Sequence, residues 1–346
     1  MFSYFSKDVG IDLGTANSLV YLRGRGIAIS EPSVIALNTK TNQILAIGRE
    51  AKEMIGRTPP HVAVIRPLTN GVISDFEVTQ EMLRYFFRRI GRHGSFLHYR
   101  RAVIGIPSNL TEVERKSVED AVVGAGARRA YLIEEPIAAA LGAGLPIEQP
   151  VASMVVDIGG GTTEVAVISM GGTVVAKSLK IAGDRFNDEI IKFIRDEFKL
   201  VIGEPTAEDL KIGVGSALPI DEKLEMNVRG RDLTTGLPRE IAVRNHHIRL
   251  ALSRSLASIA GAIQEVIEAT PPELVGDILK EGIYVSGGGS LLRGIDALIQ
   301  REMDVPVNII EDPLTAVVLG VGVIIEDFNR YQRVLNNPFQ QREINL

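Results

Sequence analysis

Apolar positions along this chain follow two rhythms, one of strands and one of helices, and the same succession runs twice. In the first half, residues 8–22 and 27–37 read as short strands joined by polar turns at 23–26 and 31–33. Val78, Met82, Leu83, Phe86 and Ile90 fall at helical spacing and give residues 78–90 one buried face. Residues 102–106 are an apolar run ended by Pro107, as expected of a buried strand. Thr111 followed by Glu114 is a capping box, in which hydroxyl and carboxylate satisfy the first free N–H groups of a helix. A short strand at 131–133 leads into a helix from Pro136 to about residue 142, with the proline in its first turn.

The second half repeats this order. Strands are expected over 153–169 and 173–181, and Phe186, Ile190, Ile191, Ile194 and Phe198 line a helix face. Residues 205–212 form a short helix opened by Pro205 and Thr206, whereas 213–245 are polar and turn-rich, part of a small separate lobe. Ile248, Leu252, Leu256, Ile259, Ile263, Val266 and Ile267 mark a long helix stopped by Pro271 and Pro272. Residues 282–286 are a strand feeding the turn GGGSLL at 287–292. The longest apolar run, AVVLGVGVII at 316–325, is shorter than the roughly 20 residues that span a bilayer. The stretch 326–346 is rich in Asn, Gln and Arg and is expected to fray. The pattern is α/β: two similar halves, each with a smaller insertion.

Composition narrows the chemistry. A chain of 346 residues is expected to hold two or more domains. A formal net charge of −5 argues against bulk attraction to nucleic acid. Cysteine is absent, which removes disulfides, thiolate zinc sites and cysteine nucleophiles, and five scattered histidines do not suggest an imidazole metal site. The first eight residues, MFSYFSKD, lack the apolar core of a signal peptide, so a cytoplasmic location is expected.

The duplication centres on two glycine turns. VGIDLGTANSLVY (9–21) and VVDIGGGTTEVAV (155–167) lie 145 residues apart, and aligning Asp12 on Asp157 puts Gly14 on Gly159. Glycines let backbone N–H groups approach phosphate oxygens, and each Asp can hold a metal-bound water against the same phosphates. One such turn could need Asp and Gly for shape alone; the second copy suggests a polyanion held between two halves. Glu135, at a strand end and helix start, either caps the helix dipole or orients a water for attack on a terminal phosphate. GGGS at 287–290 fits a tight strand-to-helix link or a loop lying against a nucleotide. Glu208 and Lys211 share a helix face, as a surface ion pair worth under about 1 kcal/mol or as contacts to ribose and base.

Residues 82–111 contain no Asp or Glu but hold Arg84, Arg88, Arg89, Arg92, Arg100 and Arg101, with Phe96 and Leu97 in an expected exposed loop. Each basic group near an anionic leaflet is worth roughly 1 kcal/mol. Either this is a solvated arginine face over a buried Phe-Leu pair, or it is a membrane contact, with Phe2, Tyr4 and Phe5 as a second foot.

These residues resemble the actin-like superfamily and, within it, the bacterial rod-shape-determining MreB family. The narrower likeness rests on DLGTAN (12–17), GRTP (56–59), IRPLTNGVISDF (65–76), GAGARR (124–129), LIEEP (132–136), GAGLP (142–146), VDIGGGTTEVAV (156–167), RGRD (229–232), TPPEL (270–274) and SGGGSLL (286–292). It implies four subdomains around an ATP–Mg²⁺ cleft: IA at 1–32, 73–147 and about 313–346, IB at 33–72, IIA at 148–181 and 246–312, and IIB at 182–245. It implies phosphate binding by Gly14, Thr15, Ala16, Asn17, Gly159, Gly160, Gly161 and Thr162, and magnesium held mainly through water by Asp12 and Asp157. Catalysis would fall on Glu135, Asp157 and Thr162. Base and ribose contacts would fall on Glu208, Asp209, Leu210, Lys211, Gly288, Gly289, Ser290 and Leu291, and membrane contact on Phe96 and Leu97. Pro60, Ser286 and Ser290 depart from the family's usual residues, none in a phosphate role.

The implied activity is ATP hydrolysis coupled to assembly of paired head-to-tail protofilaments on the inner membrane face. The implied partners are further copies of the chain, the membrane, and cell-wall elongation and morphogenetic membrane proteins, with no nucleic acid. The alternative is a small-molecule kinase on the same scaffold. A chaperone nucleotide domain would continue into a peptide-binding domain, which a chain ending at Leu346 is not expected to carry.

Overall fold

A computed structural model of the chain describes residues 8–91, 99–220 and 223–335. Phe96 and Leu97, with Phe2, Tyr4 and Phe5, lie outside the described residues.

Two five-stranded sheets have the same wiring. In the first, Val9–Leu13, Asn17–Leu22 and Gly26–Pro32 form an antiparallel meander, and Ala102–Ile106 and Ala130–Glu134 extend it in parallel beyond Val9–Leu13. In the second, Ser153–Ile158, Thr163–Ser169 and Gly172–Leu179 form the meander, extended in parallel by Ile283–Ser286 and Val307–Ile309. The registers also match. Asp12 stands opposite Leu19, and Asp157 stands opposite Glu164. The halves therefore superimpose Asp12 on Asp157 and, seven residues on, Leu19 on Glu164.

Each parallel step needs a crossover, and helices supply it. Phe76–Ile90 and Glu112–Ala125 serve the first sheet, the latter opened by the Thr111–Glu114 capping box. Asn245–Ala269 precedes the parallel part of the second sheet, and its apolar face (Ile248, Leu252, Leu256, Ile259, Ile263, Val266) is buried in that lobe's core. This helix is long and apolar enough to cross a membrane by composition, but here that apolar face closes a core.

Between the sheets lie two matched helices, Glu135–Gly142 and Ala316–Glu326. They share one core with residues from both sheets, including Val103, Ile133, Val155 and Ile168. The apolar run at 316–325 is thus an interior helix. Its glycine permits a close crossing: a Cβ on Gly320 would stand 1.7 Å from the Ala138 carbonyl oxygen, and one on Gly142 would stand 2.0 Å from that of Ala316. Each helix thus offers a small residue four positions from its partner's point of contact, and the backbones touch with no side chain between them.

Each lobe carries an insertion. In the first, Ile35–Asn38, Ile44–Ile47 and Val62–Ile65 form a small sheet beside the helix Arg49–Glu53. In the second, the polar stretch at 213–245 contains a long hairpin, Glu225–Asp232 with Pro238–Arg244. It reads as turn-rich because few of its side chains, Val228, Ile241 and Val243 with partly buried Met226, face the core, while Arg229–Glu240 and Arg244–Glu225 pair across the wet face.

The arginine-rich segment is partly neutralised from within. Arg84 binds Glu81 and the Gly124 carbonyl, Arg89 binds Glu31, and Arg101 binds Asp8 while lying 3.9 Å from the centre of the Phe328 ring. Arg88 and Arg100 remain exposed.

Adding one methyl group at the helix crossing should be costly. Gly320→Ala is expected to lower unfolding stability by at least about 2 kcal/mol, the upper range for overpacked cores, measured by urea denaturation.

Candidate functional site

The two glycine turns meet face to face. A Cβ on Gly160 would stand 2.6 Å from the Ala16 Cβ, and one on Gly161 would stand 2.5 Å from the Thr15 hydroxyl and 2.9 Å from the Asn70 Cα. Neither glycine has a positive φ. Glycine is needed here for the approach of one turn to the other, not for an unusual backbone. Further bonds fix each turn. Thr15 Oγ1 accepts from the Gly71 N–H at 2.9 Å, and Ser33 Oγ donates to the Gly14 carbonyl at 2.6 Å. On the other side the Asp184 N–H donates to the Gly160 carbonyl at 2.8 Å.

Beneath the turns is a cavity of about 90 Å³ lined by Asp12, Glu135 and Asp157, with Gly14, Thr15, Ala16, Asn17, Gly159, Gly160, Gly161 and Thr162 around it. No lysine or arginine lines it among the described residues. Burial raises the pKa of all three carboxyls, and neighbouring carboxylates add to it. Burial, then the charge of Asp157, pushes Asp12 up to about 7. Burial pushes Asp157 up to about 6, against a hydrogen bond from Ser286. Glu135 is driven well above the usual range by burial, then by Glu164, Asp12 and Asp157. Asp157 Oδ1 is buried without a hydrogen-bond partner.

The three carboxyls leave this cavity acidic. The described residues hold no cluster of three or more His, Cys, Asp or Glu able to cage a metal. The donor set suits magnesium, which keeps water ligands and arrives with phosphates.

The small cavity opens into one of about 370 Å³. Ala16, Asn17, Gly159 and Gly160 line both. Gly288, Gly289 and Leu291 form one wall with Leu292 and Leu314, Phe186 adds an apolar surface, and Glu208 and Lys211 face in from the helix Glu204–Val214. Lys211 donates to the Gly183 carbonyl at 3.0 Å, and burial lowers its pKa. Three basic-acidic pairs join the two insertions at the rim: Lys52 with Glu208 at 3.4 Å, and Arg66 with Glu204 and, at 4.0 Å, Asp184.

Three residues assigned to base and ribose contact do not line this cavity. Successive helix positions turn by about 100°, so Asp209 faces solvent and Leu210 enters the second lobe's core, while Glu208 and Lys211 point inward. Ser290 is buried and donates to the Gly287 carbonyl at 2.6 Å, holding the turn Gly288–Leu291 from behind. Conversely, Val34, Lys52, Arg66, Asp184, Asn187 and Leu314 line the cavity without having been singled out in the sequence. They come from the insertions, from loops and from the polar positions that open the helix Gly183–Phe198, where no apolar periodicity marks them. Asn187 Oδ1, buried without a partner, stands out only once the helix Gly183–Phe198 is placed.

The two matched sheets, the crossed helices between them and the paired turns at one cleft define an actin-like fold. The comparisons agree. The chain has 38% identity and a TM-score of 0.90 to the crystal structure of MreB 5 of Spiroplasma citri bound to AMPPNP, covering 95% of this chain and 98% of that one. The ADP-bound form of that protein gives 0.89. The MamK double helical filament, at 22% identity and a TM-score of 0.80, shares the fold. Residues 6–333 match the MreB/Mbl protein family, and the chain belongs to that family. It is 48% identical over 326 residues to the cell shape-determining protein Mbl of Bacillus subtilis (strain 168), covering 94% of this chain and 98% of that protein. It is 46% identical to the cell shape-determining protein MreB of Escherichia coli (strain K12), covering 93% of this chain and 94% of that protein.

The carboxylate floor makes the nucleotide-free protein sensitive to pH. Asp12 and Asp157 have folded pKa values above their usual 3.8, so the folded state holds protons that the unfolded chain releases. Stability is favoured below about pH 4 by these two groups and is lost as pH rises through 6 and 7. Thermal unfolding without nucleotide, compared between wild type and Asp12→Asn, is expected to show that decline in the wild type and a flatter profile in the variant.

Proposed function

We propose that this protein is an ATP-binding and ATP-hydrolysing actin-like cytoskeletal protein whose filaments lie on the inner membrane face and set rod cell shape. The observation that carries the reading is the contact of the two glycine turns above a floor of unneutralised carboxyls. Such a site attracts a cation-bound polyanion and leaves room beside it for a nucleoside. The family relatives add weight, since one was crystallised with AMPPNP and ADP and others are named for cell shape.

In this reading the backbone N–H groups of the turns at Gly14–Asn17 and Gly159–Thr162 cradle the phosphates, and the base and ribose occupy the larger cavity between Lys211, Glu208 and the Gly288–Leu291 turn. Magnesium, when bound with the nucleotide, offsets the phosphate charge, with Asp12 and Asp157 holding its water ligands. Glu135 and Thr162 hold the attacking water. Its oxygen bonds to the terminal phosphorus as the bond to the bridging oxygen breaks, leaving ADP and phosphate. Burial and its carboxylate neighbours make Glu135 a stronger proton acceptor for that water. The four-subdomain division belongs to the same reading. A nucleotide held by both lobes favours one lobe orientation, and that orientation favours head-to-tail contact between copies by differential affinity.

Membrane contact through Phe96 and Leu97 is a separate part of the proposal, supported by the acid-free stretch around them and by exposed Arg88 and Arg100. A small-molecule kinase on this scaffold has no such support: the Mbl and MreB relatives named above are called cell shape-determining proteins.

Glu135→Ala is expected to keep ATP affinity within about threefold while cutting phosphate release by about 100-fold, as for loss of a general base. Equal turnover in variant and wild type rejects the role. Electron microscopy of the wild type with ATP should show filaments; closed oligomers alone would reject the cytoskeletal reading. Phe96→Ser with Leu97→Ser is expected to abolish pelleting with anionic liposomes, and undiminished pelleting would place the contact elsewhere.

A further inference from the structure

One buried carboxylate beside the floor has no role in holding the nucleotide, the cation or the attacking water. Glu164 lies in the strand Thr163–Ser169 and is fully buried. Its counterpart in the first half is Leu19, which sits opposite Asp12 as Glu164 sits opposite Asp157. The duplicated architecture therefore accepts an apolar side chain at this position. A buried charge costs stability that an apolar residue of similar volume does not, so its presence calls for a task.

Its contacts indicate the task. One carboxylate oxygen accepts from the Ser178 hydroxyl at 2.5 Å, on the neighbouring strand of the same lobe. The other accepts from the Ser108 backbone N–H at 3.1 Å, and Ser108 belongs to the opposite lobe, in the turn that ends the strand Ala102–Ile106. That strand carries Glu135 above it: a Cβ on Gly105 would stand 3.6 Å from Glu135 Cγ. Thr162 precedes Glu164 by two residues. The same turn is wedged from the other side, where a Cβ on Gly71 would stand 2.5 Å from Pro107 and 3.4 Å from the Thr162 methyl.

We propose that Glu164 is a positioning residue for phosphate release: it ties the Pro107–Ser108 turn of one lobe to the Thr162 strand of the other. The tie sets the distance between Glu135 and Thr162, the two groups assigned to the attacking water. It works by hydrogen bonds, not by charge. A glutamine keeps both, with its carbonyl oxygen toward the Ser108 N–H and its amide toward the Ser178 hydroxyl. An aspartate, one methylene shorter, keeps the charge but does not span the lobes. This inference rests on the hydrolysis reading above.

The test compares Glu164→Ala, Glu164→Gln and Glu164→Asp by single-turnover phosphate release, ATP affinity, and amide hydrogen exchange at Ser108 with AMPPNP bound. For Glu164→Ala, release is expected to fall at least about 10-fold with affinity within about threefold. Ser108 exchange in that variant should quicken by about 10-fold as its N–H loses its partner. Glu164→Gln should stay near wild type in all three, and Glu164→Asp should behave as Glu164→Ala. Release in Glu164→Ala within about twofold of wild type, or unchanged Ser108 exchange, overturns the proposal. Should Glu164→Ala fail to fold, the Gln and Asp variants decide alone, and any order other than Gln preserved and Asp impaired overturns it. If the wild type itself releases no phosphate, hydrolysis is the reading that fails, and Ser108 exchange still decides the tie.

Discussion

Everything in this molecule is arranged around one contact, the turn at Gly159–Thr162 pressed against the turn at Gly14–Asn17. The distances leave no room for a Cβ at Gly160 or Gly161. The contact brings two copies of one strand-turn-strand unit together over three carboxyls that no described cation neutralises. A protein core does not leave such groups bare without cost. In the function proposed above, that cost is offset when a cation and a polyanion arrive together.

The remaining architecture keeps that contact in register. Identical wiring of the two sheets delivers Asp12 and Asp157 to the same height on either side. The shared core of the crossed helices fixes the lobes at the back, and the ion pairs of Lys52 and Arg66 join the insertions at the front. A ligand in the cleft thus touches all the parts whose relative placement a filament contact would read.

Much of this was legible beforehand, for a definite reason. Strands buried on both faces, a capping box and a duplicated Asp-Gly turn are local patterns, so the sheets, the helix Glu112–Ala125 and the paired turns could be read from spacing. The hairpin at 225–244 could not, because its wet face hides a sparse apolar alternation of Val228, Ile241 and Val243. Nor could the rim residues Lys52, Arg66 and Asp184, whose ion pairs form only after the insertions fold toward each other. Asp209 and Leu210 came with the family resemblance, and helical phase separates them from Glu208 and Lys211. Glu164 looked like one more strand position. Only the register against Leu19 and the reach to Ser108 distinguish it.

The backbone-to-backbone crossing of Glu135–Gly142 and Ala316–Glu326 ties the halves at one seam without side chains between. A side chain at Gly142 or Gly320 has nowhere to go, and the core residues packed around the seam would have to shift together if one half moved against the other. Glu135 itself opens the first of these helices. The residue assigned to the attacking water therefore shares its helix with this seam, three residues before the Ala138 carbonyl that Gly320 approaches.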